Sequence, residues 1–242
     1  MQSSPQSVPK DGLDRDKQVK QIFSEIAPRY DLLNRLLSLN IDRVWRRVAV
    51  DRLGWKEEPS GRFLDACTGT FDLALELSDR TDFCGQVIAT DFASPMMVRG
   101  AEKIVGKPIR PVCGNSLVLP FPDDSFDGAM VGFGVRNLAD LEQGISELHR
   151  VLKKNRALVV LEFTLPPNSL VRAAYLLYFR RVLPFIGRII SGHPWAYEYL
   201  PESVGEFPPP DELGLQFEKA GFSDVGWTLL TGGIAAIHWG RA

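Results

Sequence analysis

Apolar and polar residues fall in blocks along the chain, and the period changes from block to block. Phe63, Leu64 and Asp65 make a short apolar run closed by an acid. Ala66 to Thr70 is a small-residue turn, after which Leu73, Leu75 and Leu77 lie among polar partners in a helical pattern. A second apolar run, Val87 to Ala89, ends at another acid, Asp91, and a helix over Ser94–Val105 follows. Further along, Arg110–Cys113, Phe126–Phe133 and Leu158–Phe163 read as strands, with Leu141–Leu152 as a crossover helix. Strands joined through helices pair in parallel, so the pattern predicts an α/β fold around a mostly parallel sheet. The last two runs, Phe222–Leu229 and Ile234–Trp239, flank Thr231-Gly232-Gly233 and read as an antiparallel hairpin at one sheet edge.

Two stretches lie outside this alternation. Residues 1–16 are polar and read as a mobile tail, and residues 17–55 form a helical preface to the sheet. In the preface Val19, Ile22, Phe23 and Ile26 share a stripe that breaks at Pro28, followed by the apolar segments Leu32–Leu39 and Ile41–Val50. Residues 165–205 are the most apolar part outside the core and read as a lid or substrate-facing insertion within a single domain spanning 17–242. On a straight helix Arg180, Arg181 and Arg188 would share an arc of about 100°, although Pro184 bends such a helix. A basic rim beside an apolar face suits peripheral contact with a membrane surface or with an isoprenoid tail. A lid helix packed on the sheet, or on a second copy of the chain in a homodimer, is the equally weighted alternative.

The first turn carries the candidate chemistry. Small residues let backbone approach a ligand closely, and a helix start offers unpaired N–H groups. Asp91 lies about 20 residues beyond the turn, the spacing at which a doubly wound fold places a ribose-binding carboxylate. A cap on the following helix is the alternative role for Asp91. The turn holds a single glycine, Gly69, where a dinucleotide fingerprint needs three, so pyrophosphate and an NAD-dependent oxidoreductase are disfavoured.

Composition narrows the classes without adding a site. The chain has 242 residues, 45% of them hydrophobic, and a formal charge of −2, which gives no field to hold nucleic acid. Cys67, Cys84 and Cys113 sit in or beside apolar runs, which suits buried thiols in a reducing, cytoplasmic compartment. They show no metal-ligand spacing with the three histidines; His149 and His238 read as structural, and His193 is undecided. No apolar run reaches the roughly 18 residues of a membrane span.

The turn resembles motif one of the S-adenosylmethionine-dependent methyltransferases, D-x-G-x-G-x-G, with Asp65, Cys67, Gly69 and Phe71 in the acid and glycine slots. A more specific resemblance covers nearly everything after residue 17. Tyr30, Asp31, Asn34 and Ser38, then Arg43 and Trp45, match the first signature of the ubiquinone/menaquinone biosynthesis C-methyltransferases. Arg150 to Lys153 with Leu161, Glu162 and Phe163 match the second in part, and FGVRNL, AYEYLPES, AGF and TGGIAAIHWG continue the likeness. The chain departs from the family at Asp42, where many members carry His, and at Lys154, Asn155 and Arg156, where they carry Pro-Gly-Gly.

The resemblance implies a class I, Rossmann-like methyltransferase fold and S-adenosylmethionine as cofactor. Gly69 and Thr70 would meet its methionine part, Asp91 its ribose, and Asn115 with Ser116 its adenine. It further implies C-methylation of a prenylated naphthoquinol, with Arg136 and Asn137 stabilising the phenolate oxygen and Tyr30 orienting the ring or relaying its proton. Phe71 in a glycine slot supports a rival reading, a weakened methyltransferase-fold protein that binds quinone or acts as a scaffold. A benzyl group there either turns into the apolar neighbourhood or fills the ligand's space. The second case makes Phe71→Gly tighten cofactor binding about tenfold or more, and that is the expectation from sequence.

Overall fold

The computed structural model describes residues 19–25, 27, 35, 38, 40–178, 181 and 203–242. The remainder of the tail and preface, with Tyr30, Asp31 and Asn34, lies outside them, as do His193 and most of the proposed lid. The parallel strands are β1 (Arg62–Ala66), β2 (Gln86–Asp91), β3 (Ile109–Cys113), β4 (Gly128–Gly132) and β5 (Ala157–Phe163). They are completed by β6 (Ser223–Leu230) and β7 (Ala235–Arg241), of which β7 runs antiparallel to both of its neighbours, β5 and β6. The seven strands run in the order β3-β2-β1-β4-β5-β7-β6. The chain therefore runs outward in one direction, returns to the centre and runs outward in the other. The order reverses between β1 and β4, and ligands of open α/β sheets bind at such a reversal, beyond the carboxyl ends of the strands.

Period-two alternation explains why both faces are covered. Phe63 of β1 packs with Trp45, Ala49 and Val50 of α1 (Asp42–Arg52) and with Leu73 and Leu77 of α2 (Asp72–Ser78). Its neighbour Leu64 packs on the opposite side with Ile145 and Leu148 of α4 (Leu141–Arg150) and with Leu213 and Phe217 of α6 (Pro210–Lys219). Two more helices, α3 (Ser94–Gly100) and α5 (Ser169–Leu177), follow β2 and β5. The described end of the preface, α1, is fixed to the sheet. Trp45 donates from Nε1 to Thr231 Oγ1 at 2.9 Å and meets the ring of Phe163 edge-on at 6.1 Å. Asp42 accepts a 2.6 Å bond from Ser38 and pairs with Arg46 at 3.4 Å, both partners buried.

Several predicted boundaries move, each for a local reason. The strand expected from Phe126 starts at Gly128, because Phe126 pairs as an isolated bridge with Leu152, which also ends the helix expected to reach that residue. It stops before Phe133, whose φ of 60° leaves the extended region. The helix expected over Ser94–Val105 ends at Gly100 and tightens into a 3₁₀ turn over Ala101–Ile104. Asn155 adopts φ 62° in place of a glycine, but in the turn between Lys153 and Arg156 that leads into β5, since the helix already ends at Arg150. The buried-thiol expectation fails for two cysteines. Cys113 ends β3, an edge strand covered on one side only, and Cys84 lies in the loop before β2; both are exposed. His238 is structural, donating from Nε2 to the Pro210 carbonyl at 2.9 Å, and burial pulls its pKa down to about 4.

Candidate active site

Asp65 and Asp91 end β1 and β2, and the turn between β1 and α2 is strung between their carboxylates. Asp65 is 1% exposed; its Oδ2 accepts the Thr68 hydroxyl at 2.5 Å and the Ala74 N–H at 3.0 Å. Phe71, the residue preceding α2, offers no side-chain cap, so the Asp65 carboxylate occupies that place at the positive end of the helix. Asp91 accepts the Gly69 N–H through Oδ2 and the Ala93 N–H through Oδ1, each at 2.8 Å. Thr68 N–H donates to Thr90 O at 3.0 Å. Between these anchors Cys67, Gly69 and Phe71 are left-handed, with φ of 53°, 57° and 70°. For Cys and Phe that conformation costs on the order of 1–2 kcal/mol each. It persists because the flanking hydrogen bonds allow the backbone no other path.

Phe71 is fully buried, and its ring belongs to the core cluster of Trp45, Val50, Leu73 and Met97. It lies against Gly100 of α3, where an added Cβ would come within 2.7 Å of the ring and 2.8 Å of the Thr70 carbonyl. A missing side chain on α3 thus makes room for the extra one on the turn. A second close approach joins the turn to the loop after β4, since any side chain at Gly134 would overlap Cys67. Neither crowded residue occludes the space beyond the strands.

That space is a pocket lined by Phe23, Cys67, Gly69, Asp91, Phe92, Met96, Asn115, Ser116, Phe133, Gly134, Asn137 and Leu138. Four of the five residues expected at a cofactor line it together: Gly69, Asp91, Asn115 and Ser116. The fifth, Thr70, is buried behind the turn, its carbonyl beside Gly100. Each Asp91 oxygen accepts one backbone N–H and keeps capacity for another donor, which suits a pair of ribose hydroxyls. Asp91 therefore holds the backbone and faces a ligand at once. Burial raises its pKa, and burial likewise drives the Cys67 thiol up to about 12, which leaves it a neutral, unreactive part of the wall.

Of the residues expected to act on the acceptor, Asn137 lines this cavity. Arg136 turns away from it, toward a neighbouring hollow lined by Val135, Leu141, Ser203 and Phe207, with Leu138 shared between the two. Arg136 is 8% exposed and bonds through Nη1 to Glu162 Oε1 at 2.6 Å and to the Phe133 carbonyl at 2.7 Å. Tyr30 lies outside the described residues. The sequence reading passed over Phe133 and Glu162 as site residues and treated Phe23 only as part of a helical stripe. Glu162 and Phe133 both stood in stretches that carry the family likeness; Phe23 carried no signal beyond an apolar stripe.

Solved structures with this fold include S-adenosylmethionine-dependent methyltransferases. One from Thermotoga maritima covers 92% of this chain and 99% of its own, with a TM-score of 0.64 at 20% identity. Another from Aquifex aeolicus covers 95% and 98%, with a TM-score of 0.56 at 19% identity. The fold is thus that of the class I, Rossmann-like methyltransferases. At the level of sequence the chain belongs to the ubiE/COQ5 methyltransferase family, whose model matches residues 12–242. A demethylmenaquinone methyltransferase from Thermus thermophilus is 51% identical over 90% of this chain and 99% of its own length. A ubiquinone/menaquinone biosynthesis C-methyltransferase from Geobacter sulfurreducens is 43% identical over 94% and 90%.

The position of Phe71 removes the steric basis for a tighter-binding glycine variant. Phe71→Gly empties core volume and is expected to lower stability by about 2–4 kcal/mol, the cavity cost less the relief of backbone strain. Calorimetric titration with S-adenosylmethionine should show no gain in affinity; a tenfold gain would place the ring in the ligand's space. Asp65 sets a pH dependence. Burial raises its pKa from 3.8 to about 7, against the pull of Thr68, Ala74 and Arg46. A carboxyl with a raised folded-state pKa favours the fold below its unfolded value and loses that contribution as pH rises through the folded value. Stability should therefore fall between pH 3.8 and about 7, and Asp65→Asn should flatten that slope in thermal unfolding followed across the range. An unchanged slope would assign the dependence to other groups.

Proposed function

We propose that this protein transfers a methyl group from S-adenosylmethionine to an unsubstituted ring carbon of a prenylated naphthoquinol, converting demethylmenaquinol to menaquinol. The observation that carries this reading is the cavity in which Gly69, Asp91, Asn115 and Ser116 converge beyond the strand ends, in a chain with a 51%-identical relative named for that activity. The turn, with its single glycine, fits a nucleoside bearing an amino-acid tail and lacks the glycines that a pyrophosphate needs. Once bound, the cofactor supplies a methyl group on a positively charged sulfur.

The residues around the cavity have the work of aligning the acceptor, easing its hydroxyl proton away and excluding water. Removing that proton pushes electron density onto the neighbouring ring carbon, which then acts as the nucleophile. Asn137 reaches the cavity and can donate to the developing phenolate oxygen. Arg136 is held next door by Glu162, close enough to the loop that its charge favours the same oxygen. Tyr30 keeps the role of orienting the ring or relaying its proton that the family resemblance gives it. Phe23, Phe92, Met96 and Phe133 give the cavity an apolar wall suited to a flat ring and to the exclusion of water.

Among the described residues no helix is long and apolar enough to cross a membrane. On α5, Leu170 and Leu177 are 81% and 62% exposed, and Arg172 and Arg181 are exposed near them. This supports peripheral contact of that region with a membrane surface or with the prenyl tail.

Incubation with S-adenosylmethionine and a reduced, short-chain demethylmenaquinol, followed by mass spectrometry, tests the reaction. The expected product carries one additional methyl on the ring, and a demethylated benzoquinol acceptor should react more slowly. Faster reaction of the benzoquinol would transfer the assignment to the ubiquinone branch, and no product from either would remove the enzyme reading.

A further inference from the structure

Phe133 is the residue of the cavity wall whose position needs the most explanation. Its φ of 60° is unusual for a bulky residue, and such a conformation persists only where the surroundings leave no alternative. Its N–H donates to Leu161 O at 2.8 Å, continuing the line of β4 beside β5. Its carbonyl is gripped by Arg136 Nη1 at 2.7 Å and by Asn137 Nδ2 at 3.3 Å. Its ring lies 4.5 Å from that of Phe163 and 5.2 Å from the Arg46 guanidinium, and forms part of the cofactor cavity.

Behind this grip stands Glu162, 1% exposed, at the end of β5. Its Oε1 accepts Arg136 Nη1 at 2.6 Å and the Phe163 N–H at 2.9 Å, and its Oε2 accepts the Arg136 backbone N–H at 3.3 Å. One carboxylate thus fixes Arg136 at both its backbone and its guanidinium, while that guanidinium holds the strained loop. A buried ion pair is a poor source of net stability, since an apolar pair of similar volume does as well or better. What this pair supplies instead is a fixed geometry between the ends of β4 and β5.

We propose that Glu162 is a positioning residue for methyl transfer: by holding Arg136 against the Phe133 carbonyl, it keeps the Phe133 ring and the Arg136 charge in register with the cofactor cavity. This rests on the methyltransferase reading above. Glu162 does not line the cavity, and the proposal assigns its effect on transfer to Arg136 and the loop.

The test uses the full-length protein and the variants Glu162→Gln, Arg136→Gln and the double variant. Glu162→Gln keeps the shape of the side chain and removes its charge. The turnover rate at saturating substrates is expected to fall roughly tenfold or more, while the dissociation constant for S-adenosylmethionine moves by less than about threefold. Turnover within about twofold of the parent would make Glu162 purely structural and overturn the proposal. If the single variant fails to fold, the neutral pair Glu162→Gln/Arg136→Gln decides. Its turnover should match that of Arg136→Gln alone, because a residue acting only through its partner adds nothing once the partner is gone. A double variant roughly tenfold slower than Arg136→Gln would show an independent role for Glu162, and a fully active Arg136→Gln would show that the clamp is idle; either overturns the proposal. A parent protein that binds no S-adenosylmethionine would instead defeat the methyltransferase reading, which these titrations detect separately.

Discussion

The structure depends on two buried carboxylates holding one turn. Asp65 and Asp91 lie at the ends of adjacent parallel strands, and the Oδ2 of each accepts from donors of the segment that crosses between them, while Asp91 Oδ1 accepts the Ala93 N–H just beyond β2. Hydrogen bonds to ionised acceptors are roughly twice as strong as neutral ones. In this buried setting they also offset the desolvation that raises both pKa values. With the turn fixed, the helix behind it starts in the right place and the cavity acquires its floor. Asp91 has two duties here, because the oxygens that tie Gly69 and Ala93 are the ones a ribose would meet.

Close packing around that turn shows how a nearly glycine-free motif keeps its shape. Glycines in such a motif supply left-handed backbone and close approach, and this chain meets the two needs separately. The backbone conformation is imposed on Cys67 and Phe71 by their hydrogen-bonded neighbours, while the room comes from Gly134 and Gly100 on other elements. The extra volume of Phe71 then strengthens the core beneath α1 instead of blocking the ligand. Its presence therefore gives no support to the reading of a weakened, non-catalytic relative.

Much of this was legible in the sequence where the cause is local. Acid-terminated apolar runs, the spacing from Gly69 to Asp91 and the glycine-bearing hairpin near the C-terminus each follow from strand period or turn chemistry, and the sheet contains them as read. The cavity residues Asn115, Ser116 and Asn137 were legible through the family resemblance, which assigned roles to positions in the segments after β3 and β4. Contacts between distant segments were not. Nothing near Phe71 announces that Gly100 faces it, and nothing near Arg136 tells that a glutamate 26 positions later draws its guanidinium away from the cavity. Cys84 and Cys113 misled for a related reason: an apolar run shows that a strand is buried somewhere, but not which strand becomes the edge. Asp42 stood out in the sequence only as a departure from the family, and nothing near it told that Ser38 and Arg46 converge on it in a buried place.

The central claim is that the turn held by Asp65 and Asp91 forms a site for S-adenosylmethionine. Isothermal titration of the unmodified protein with S-adenosylmethionine and with NAD, repeated on Asp91→Ala, tests it most directly. One molecule of S-adenosylmethionine should bind per chain, NAD should give no binding heat, and Asp91→Ala should weaken the binding by about 1.5–3 kcal/mol. Binding of NAD in place of S-adenosylmethionine, or an affinity unchanged by the loss of Asp91, would contradict it.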